Sequence, residues 1–434
     1  MQEPTKLFNR NFLTLWTGQF VSRLGTQAFL IASLFWVKEA TGSAAIMGTI
    51  ALIAGLPAVI MGPIGGTLAD RYSRRRIIVL SDAIRGLLVL SLAALVYFLP
   101  NRTDFALIWL VIVSVLASLI SSIFIPAISA AIPDLVPKDK VAGANSLSQM
   151  SAQAASIFGA AFGGILFAAL GAAVLFFIDG LSYLFASGAE STVQIPQTIP
   201  EKSGDLKEQL RTFFNEIIDG LRYVWHRSGL RELVIVSALL NFFVAPIVIL
   251  LTFFVEDTLQ VGIEWYGYML AGYAVGSLLG FLVAGALPLP HKIRGVVLVM
   301  VILLNGITFG LLGLMETAAG ALSVLAFNGF INGFFVVHLT TILQVTTPSD
   351  IRGRVFGLLA AISGSLGPIA LGVSGFVVDW LDQDIPLIFI ASGIIMFILS
   401  LLLVLSPSVR ALLSYDYTPS EEHGLEQSPG QLKS

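Results

Sequence analysis

The chain has no cysteine, little charge and few histidines. Zero cysteines exclude a disulfide, a thiolate nucleophile and a cysteine-bound metal. Only 12% of the 434 residues are Asp, Glu, Lys or Arg, against about 25% in soluble chains. His226, His291, His338 and His423 are scattered, and no metal-ligand spacing emerges from them. A Walker G-x-x-x-x-G-K-[ST] loop is missing from the sequence, which excludes ATP hydrolysis by that route. No enzymatic constellation is left, so neither a cofactor nor a metal is expected. Net charge is −3, and no nucleic-acid partner is expected of it.

What is present is apolar. Hydrophobic residues make up 56% of the chain, and mean hydropathy is +0.88. Only lipid can solvate such a composition, so the chain reads as a polytopic membrane protein. Apolar runs that fit crossings of about 20 residues lie at 12–37, 44–69, 77–99, 105–132, 142–170, 173–193, 232–255, 265–287, 294–315, 319–346, 353–380 and 385–406. The start, MQEPTKLFNRN, is polar and lacks the layout of a cleavable signal. The first run is therefore expected to stay as a membrane helix.

Basic residues orient these runs. DRYSRRR at 70–76 puts Arg71, Arg74, Arg75 and Arg76 in one short turn, which marks that turn as cytoplasmic. With the first residues inside and the runs alternating, twenty of the 24 Lys and Arg fall inside, while Lys38 and Arg102 fall outside. The expected fold is all-α and integral to the membrane, with twelve transmembrane helices in two six-helix halves and both termini cytoplasmic.

The halves are expected at 1–193 and 232–406, joined by a linker at 194–231. In that linker Leu210, Phe213, Phe214, Ile217, Ile218, Leu221 and Trp225 follow helical spacing, as in an amphipathic helix on the inner membrane face. Residues 407–434 read as a disordered tail. Short matches relate the halves, among them Gly62-x-x-x-Gly66 with Gly276-x-x-x-Gly280. A six-plus-six repeat is a transporter architecture.

A few polar residues interrupt the runs. Arg23 lies about 11 residues into the first, ~17 Å deep at 1.5 Å per residue, and a charge at that depth needs a partner or a wet cavity. Asp179, in the sixth, is its candidate partner and the first candidate for ion coupling. Asp82 and Arg85 stand at i, i+3 and can pair on one face; Asp82 is a second coupling candidate. His338 is the one histidine within a run and has the chemistry for a proton step. A lone histidine is more often a packed hydrogen-bonding residue.

The pattern Gly66-x-x-x-Asp70-Arg71-x-x-Arg74-Arg75 resembles the loop 2–3 motif of the major facilitator superfamily, with Ser73 where glycine is usual. NRNFLTLWTGQFVSRLG (9–25), IPDLVPKDKVAGANSL (132–147), FFIDGLSYLF (176–185) and IIDGLRYVWHRSGLRELV (217–234) resemble the branch that contains macrolide-efflux proteins and the enterobactin exporter. The resemblance implies that Asp70 meets the inner end of the eleventh helix and that the arginines pair with nearby acids, latching an outward-open state. It also implies a cavity lined by helices one, four, seven and ten, where Gln19, Gln27, Asn241, Asn328 and Asn332 are candidate substrate contacts. The alternative for each is an interhelical hydrogen bond. Gly159-Ala160-x-x-Gly163-Gly164 is similar to the helix-five motif of antiporters, G-P-x-x-G-G, with Ala160 in place of proline.

The implied function is a proton-coupled exporter of amphipathic small molecules of drug, macrolide or siderophore type. It would sit in a bacterial cytoplasmic membrane as a monomer, with lipids, substrate and protons as its partners. An uptake or facilitative carrier, or a non-transporting membrane partner, remains open on the residues alone.

Overall fold

A computed structural model describes the chain apart from residues 1–5, 198–210, 212–214, 216–217, 219–220, 287–290, 348 and 414–434. Some helical side chains, those of Asp70, Arg352 and Arg354 among them, also lie outside the described set. Half of the expected amphipathic helix at 210–225 does too; its described residues 211, 215, 218 and 221–225 are helical.

All regular structure among the described residues is helical. Helix α1 (Arg10–Thr41) begins at Asn9, whose side chain accepts the Phe12 N–H, and ends at Gly42 with φ 62°. Ser43 caps α2 (Ala44–Arg71). Ser73 caps α3 (Arg74–Phe98) by accepting the Arg76 N–H, so the serine that replaces the usual motif glycine starts a helix. Helix α3 therefore begins at Arg74, ahead of the expected 77. Helix α4 spans Thr103–Leu135. Helix α5 (Val141–Glu190) reverses at Gly171, φ 74°, a conformation that glycine adopts without cost. Its arms, 141–170 and 172–190, are two crossings.

The seventh crossing is broken. It comprises α6 (Ser228–Val244), α7 (Ile247–Phe253) beyond Pro246, and a π turn at Phe254–Thr258. Then follow α8 (Glu264–Ala286), α9 (His291–Leu312), α10 (Ala318–Thr346), α11 (Ser349–Trp380) and α12 (Ile385–Leu405). Among the described residues these helices make twelve crossings. Ten stretches among the described residues are long and apolar enough to span a bilayer, and Ser365–Trp380 is a shorter one. Residues 407–413, expected to begin the disordered tail, instead form α13 (Pro407–Leu413), because Val409 buries itself completely against the second half.

Close backbone contacts set the packing inside each half. Gly86 of α3 meets Gly180 of the second α5 arm, and Gly306 and Gly310 of α9 meet Gly393 of α12. Helix α8 lies on α10 through Gly276, Gly280, Gly329 and Gly333. The matched glycines Gly66 and Gly276/Gly280 differ in their surroundings between the halves. In the first, Gly65 touches α4 at Ser122, while Gly66 faces open space.

The halves meet at one end of the bundle, opposite the face that carries the α2–α3 turn. There Lys38 of α1 contacts Glu256 at 2.6 Å and Asp257 at 2.9 Å. Asp379 of α11 accepts the Ser43 hydroxyl at 2.5 Å and the N–H groups of Ala44 and Ala45 at 2.9 and 3.1 Å. A carboxylate so placed satisfies the first turn of α2 and its dipole. Buried apolar residues at this end form one cluster that draws on both halves, including Phe35, Phe176, Phe254 and Phe389. At the opposite face the clusters separate. One, with Phe12 and Phe124, belongs to the first half, and another, with Leu298 and Val355, to the second. Among the described residues the bundle is closed at one end, and its buried clusters part at the other.

Asp379 is therefore expected to hold the closed end shut. The cysteine-free chain offers a direct check with Met47→Cys, a position 3% exposed at that interface. Maleimide should label it faster when Asp379→Ala is added. Equal labelling would deny Asp379 that role.

Candidate functional site: a polar core and cavity in the first half

The first half encloses a chain of polar side chains between α1, α3 and the second α5 arm. On that arm Asp179, Tyr183 and Glu190 follow helical spacing and share one face, which lies against α1. Helix α1 can lie close because Gly25 is bare: a Cβ there would sit 2.7 Å from Asp179 Oδ1. Gly18, two turns away, does the same beside Glu190, at 3.4 Å from Oε1.

Arg85 is the centre of this core. Its guanidinium bonds the Asp82 carboxylate, the Ser81 carbonyl at 3.3 Å and Ser121 Oγ at 3.4 Å. It also stacks over Phe124 at 4.0 Å and Tyr183 at 4.7 Å, a cation–π arrangement. Gln19 Nε2 donates to Glu190 Oε1 at 2.7 Å and to Asp82 Oδ2 at 3.5 Å. Tyr183 Oη and Thr26 Oγ1 share a hydrogen bond of 2.8 Å. Asp82, Asp179 and Glu190 are each at most 1% exposed, and Arg85 is 5% exposed. Charges buried in this way must be paired or neutralised.

Above the core lies a cavity of about 310 Å³ between α1, α2, α3, α4 and the second α5 arm. Gln27, Ser33, Ser118, Ser121 and Asp179 supply its polar wall, and residues such as Phe29, Leu110 and Val113 the apolar remainder. The spacing along α5 already put Asp179 and Glu190 on one helix. The missing signal was which face of α3 turns toward them.

The other candidates fall elsewhere. Arg23 does not pair with Asp179. It donates to the Ser148 carbonyl at 3.0 Å and lines a small cleft with Trp16 and Gln19. Helical rotation gives Asp179 the neighbourhood of Arg85 instead. Gln19 is 6% exposed and belongs to the ionic core rather than to the cavity. Asn241 is exposed and bonds its own helix at the Ser237 carbonyl, 3.0 Å. Asn328 is buried and donates to Thr308 Oγ1 at 2.7 Å. Asn332 is half-buried. His338 Nδ1 lies 2.9 Å from the Phe334 carbonyl, with its ring on Phe334.

Of the helix-five glycines, Gly159 and Gly163 pack on Gln27 and Ile31 of α1, and Gly164 meets the Ile263 carbonyl of the other half. Around the arginine-rich turn, Arg74 pairs with Asp134 at 2.6 Å and Arg75 bonds the Ser191 carbonyl.

Two six-helix halves, joined at one end and with separate buried clusters at the other, the first half enclosing a buried polar core, define a membrane transporter of the alternating-access class. The sequence profile of the Major Facilitator Superfamily matches residues 15–371, and the chain belongs to that superfamily.

Among its relatives, macrolide efflux protein A of Streptococcus pyogenes is 28% identical over 374 residues, covering 85% of this chain and 89% of that protein. The multidrug efflux pump Tap of Mycolicibacterium fortuitum is 25% identical over 399 residues, covering 89% and 93%. A bacterial homologue of the iron transporter ferroportin, in its inward-facing state, superposes with a TM-score of 0.69 at 18% identity, covering 92% of this chain and 99% of that one. Its outward-facing state superposes less well, at 0.57.

Proposed function

We propose that this protein is a proton-coupled exporter of amphipathic small molecules, of drug, macrolide or siderophore type. It works by alternating access as a monomer in the cytoplasmic membrane of a bacterium, with both termini in the cytoplasm. The observation that carries the proposal is the mainly apolar cavity bearing one carboxylate, Asp179, in a bundle whose described residues seal one end. Apolar walls with a few fixed polar groups suit an amphipathic ligand. The basic residues of the face opposite the sealed end support a cytoplasmic side for it, and on this reading the described state is the one that loads substrate from inside. The names of the two relatives support the outward direction, and the helix-five glycines are similar to those of antiporters. Protons are the proposed energy source, since the chain carries no nucleotide-binding loop of the Walker type.

The test is efflux of a macrolide and of a cationic dye from a pump-deficient bacterial host, with and without an uncoupler. Expression should lower accumulation of at least one, and the uncoupler should erase the difference. Unchanged accumulation across the panel, or efflux that ignores the uncoupler, would reject the proposal.

Gating is assigned to Gly66, Asp70, Arg71, Arg74 and Arg75. When the cytoplasmic face closes, Asp70 at the end of α2 would meet the first turn of α11, a favourable place for a carboxylate. Helix-end interactions of this kind contribute up to ~2 kcal/mol. Asp70→Asn is therefore expected to cut export on the order of tenfold while leaving membrane insertion intact. Wild-type efflux by a well-expressed Asp70→Asn protein would remove Asp70 from the gate.

A further inference from the structure

The proton-coupled reading leaves open where the proton sits, and the first-half core singles out one pair of groups. We infer that the transported proton is bound between the carboxyl groups of Asp82 and Glu190, with Gln19 clamping both and Arg85 as their counter-ion. This inference rests on the exporter reading for its role in transport, but not for the proton site itself.

Three observations converge on the pair. First, Gln19 Nε2 donates to both carboxyls, at 2.7 Å to Glu190 Oε1 and 3.5 Å to Asp82 Oδ2, which brings the two groups within hydrogen-bonding reach of each other. Two facing carboxylates repel, whereas one proton between them turns the contact into a hydrogen bond. Second, Glu190 Oε2 is buried and accepts no hydrogen bond, although the residue is 1% exposed. A buried oxygen without a donor costs about 1–3 kcal/mol, more for a charged group, and a proton on the pair supplies the donor. Third, negative charge is in excess, and one shared proton lets Arg85 offset the charge left on the Asp82–Glu190 pair. Among the described residues Arg85 is the one cation facing three buried carboxyls, Asp82, Glu190 and Asp179, and it bonds Asp82 directly.

Groups on every neighbouring helix bear on the pair. From α1 it is faced by Gln19, from α3 by Arg85, and from the second α5 arm by Asp179 and Tyr183. Arg23 is turned away to the Ser148 carbonyl. From α4 the nearest polar group on the network is Ser121, bonded to Arg85. The matching α9–α12 seam of the second half is lined by Gly306, Ile307, Leu311, Ile390 and Phe397, with no carboxyl among its described lining residues to share the task.

Both ends of the core reach open space. Gln19 lines a cleft of about 10 Å³ with Trp16, Arg23 and Ser148, near the size of one water. At the other end Asp179 lines the cavity and lies within electrostatic reach of Arg85. One guanidinium thus serves both the proton pair and the cavity carboxylate. Loss of the proton from the pair draws Arg85 toward Asp82 and away from Asp179, which alters the charge that a substrate meets in the cavity. The step moves one proton and breaks no other bond: a carboxyl O–H becomes a carboxylate, and the proton leaves by water.

The experiment is infrared difference spectroscopy of the full chain in liposomes, cycled between acidic and alkaline buffer. Wild type should show a carboxyl C=O band that vanishes on the alkaline side. Glu190→Gln and Asp82→Asn should each lose it, Asp179→Asn should keep it, and Gln19→Leu should shift its midpoint. Survival of the band in both Glu190→Gln and Asp82→Asn would overturn the inference. So would its loss in Asp179→Asn with retention in the other two.

A parallel assay of macrolide accumulation driven by an imposed pH gradient separates this result from the exporter reading. Wild-type accumulation that Glu190→Gln abolishes, while substrate exchange without a gradient persists, supports both. A titrating pair in a wild type that ignores the pH gradient keeps the proton site and rejects proton-driven export. Because Asp82→Asn strands Arg85, Glu190→Gln is the decisive variant. Its fold is checked by the same exchange and by gel filtration.

Discussion

Arg85→Ala is expected to abolish transport and to lower the yield of folded protein sharply. The guanidinium is 5% exposed, bonds Asp82, Ser81 and Ser121, and covers two aromatic rings. Its removal leaves Asp82, fully buried, without a counter-charge beside the Glu190 carboxyl. Breaking a buried pair from one side costs about 3–5 kcal/mol, a large part of a typical stability of about 5–15 kcal/mol. Arg85→Lys should recover only part of it, because an ammonium keeps the charge but not the planar stack or the several donors. Thermal unfolding followed by fluorescence-detected gel filtration ranks the three proteins. A midpoint for Arg85→Ala equal to wild type would mean that the core does not depend on this cation.

The second large effect is expected at Gly276. A Cβ on this residue would lie 1.9 Å from the Ala326 carbonyl oxygen and 3.0 Å from the Phe330 nitrogen. Both neighbours are backbone atoms of α10, so no side chain can swing aside. Gly276→Ala must push α8 off α10, and the contacts along Gly280, Gly329 and Gly333 go with it. Overpacking of a filled interior costs about 1–3 kcal/mol and occasionally more, and a separated helix pair belongs at the upper end. Gly66→Ala is the comparison, since its Cβ would meet nothing within 4 Å. Unfolding temperatures should drop for the first and hold for the second. The reverse order would refute the packing described for α8 and α10.

These two residues differ in how far the sequence announces them. Gly276 and Gly280 carry a small-x-x-x-small spacing that by its pattern alone marks a helix contact, whereas on α2 a close contact falls on a glycine outside that spacing. Gly65, not Gly66, touches α4. Arg85 reads as the partner of Asp82 from i, i+3 spacing, and that pairing is what the fold contains. Its reach toward Asp179, its stack on Tyr183 and the clamp that Gln19 places on Glu190 involve residues far apart in the chain. Arg23 shows the same limit from the other side. Depth alone made it a natural partner for Asp179, but it faces Ser148 on the first α5 arm.

The number of crossings and the family were legible in the order of residues. Apolar run length and the placement of Lys and Arg are properties of consecutive residues, and lipid responds to them locally. Which of the few intramembrane polar groups share a site emerged only from the packed bundle, as did its seal at the Lys38–Glu256 end. Those outcomes depend on how far each helix is rotated and how closely bare glycines let two backbones approach. A rotation of one residue, about 100° at 3.6 residues per turn, moves a charge from a partner to lipid. Spacing within one helix does not encode that angle relative to its neighbour.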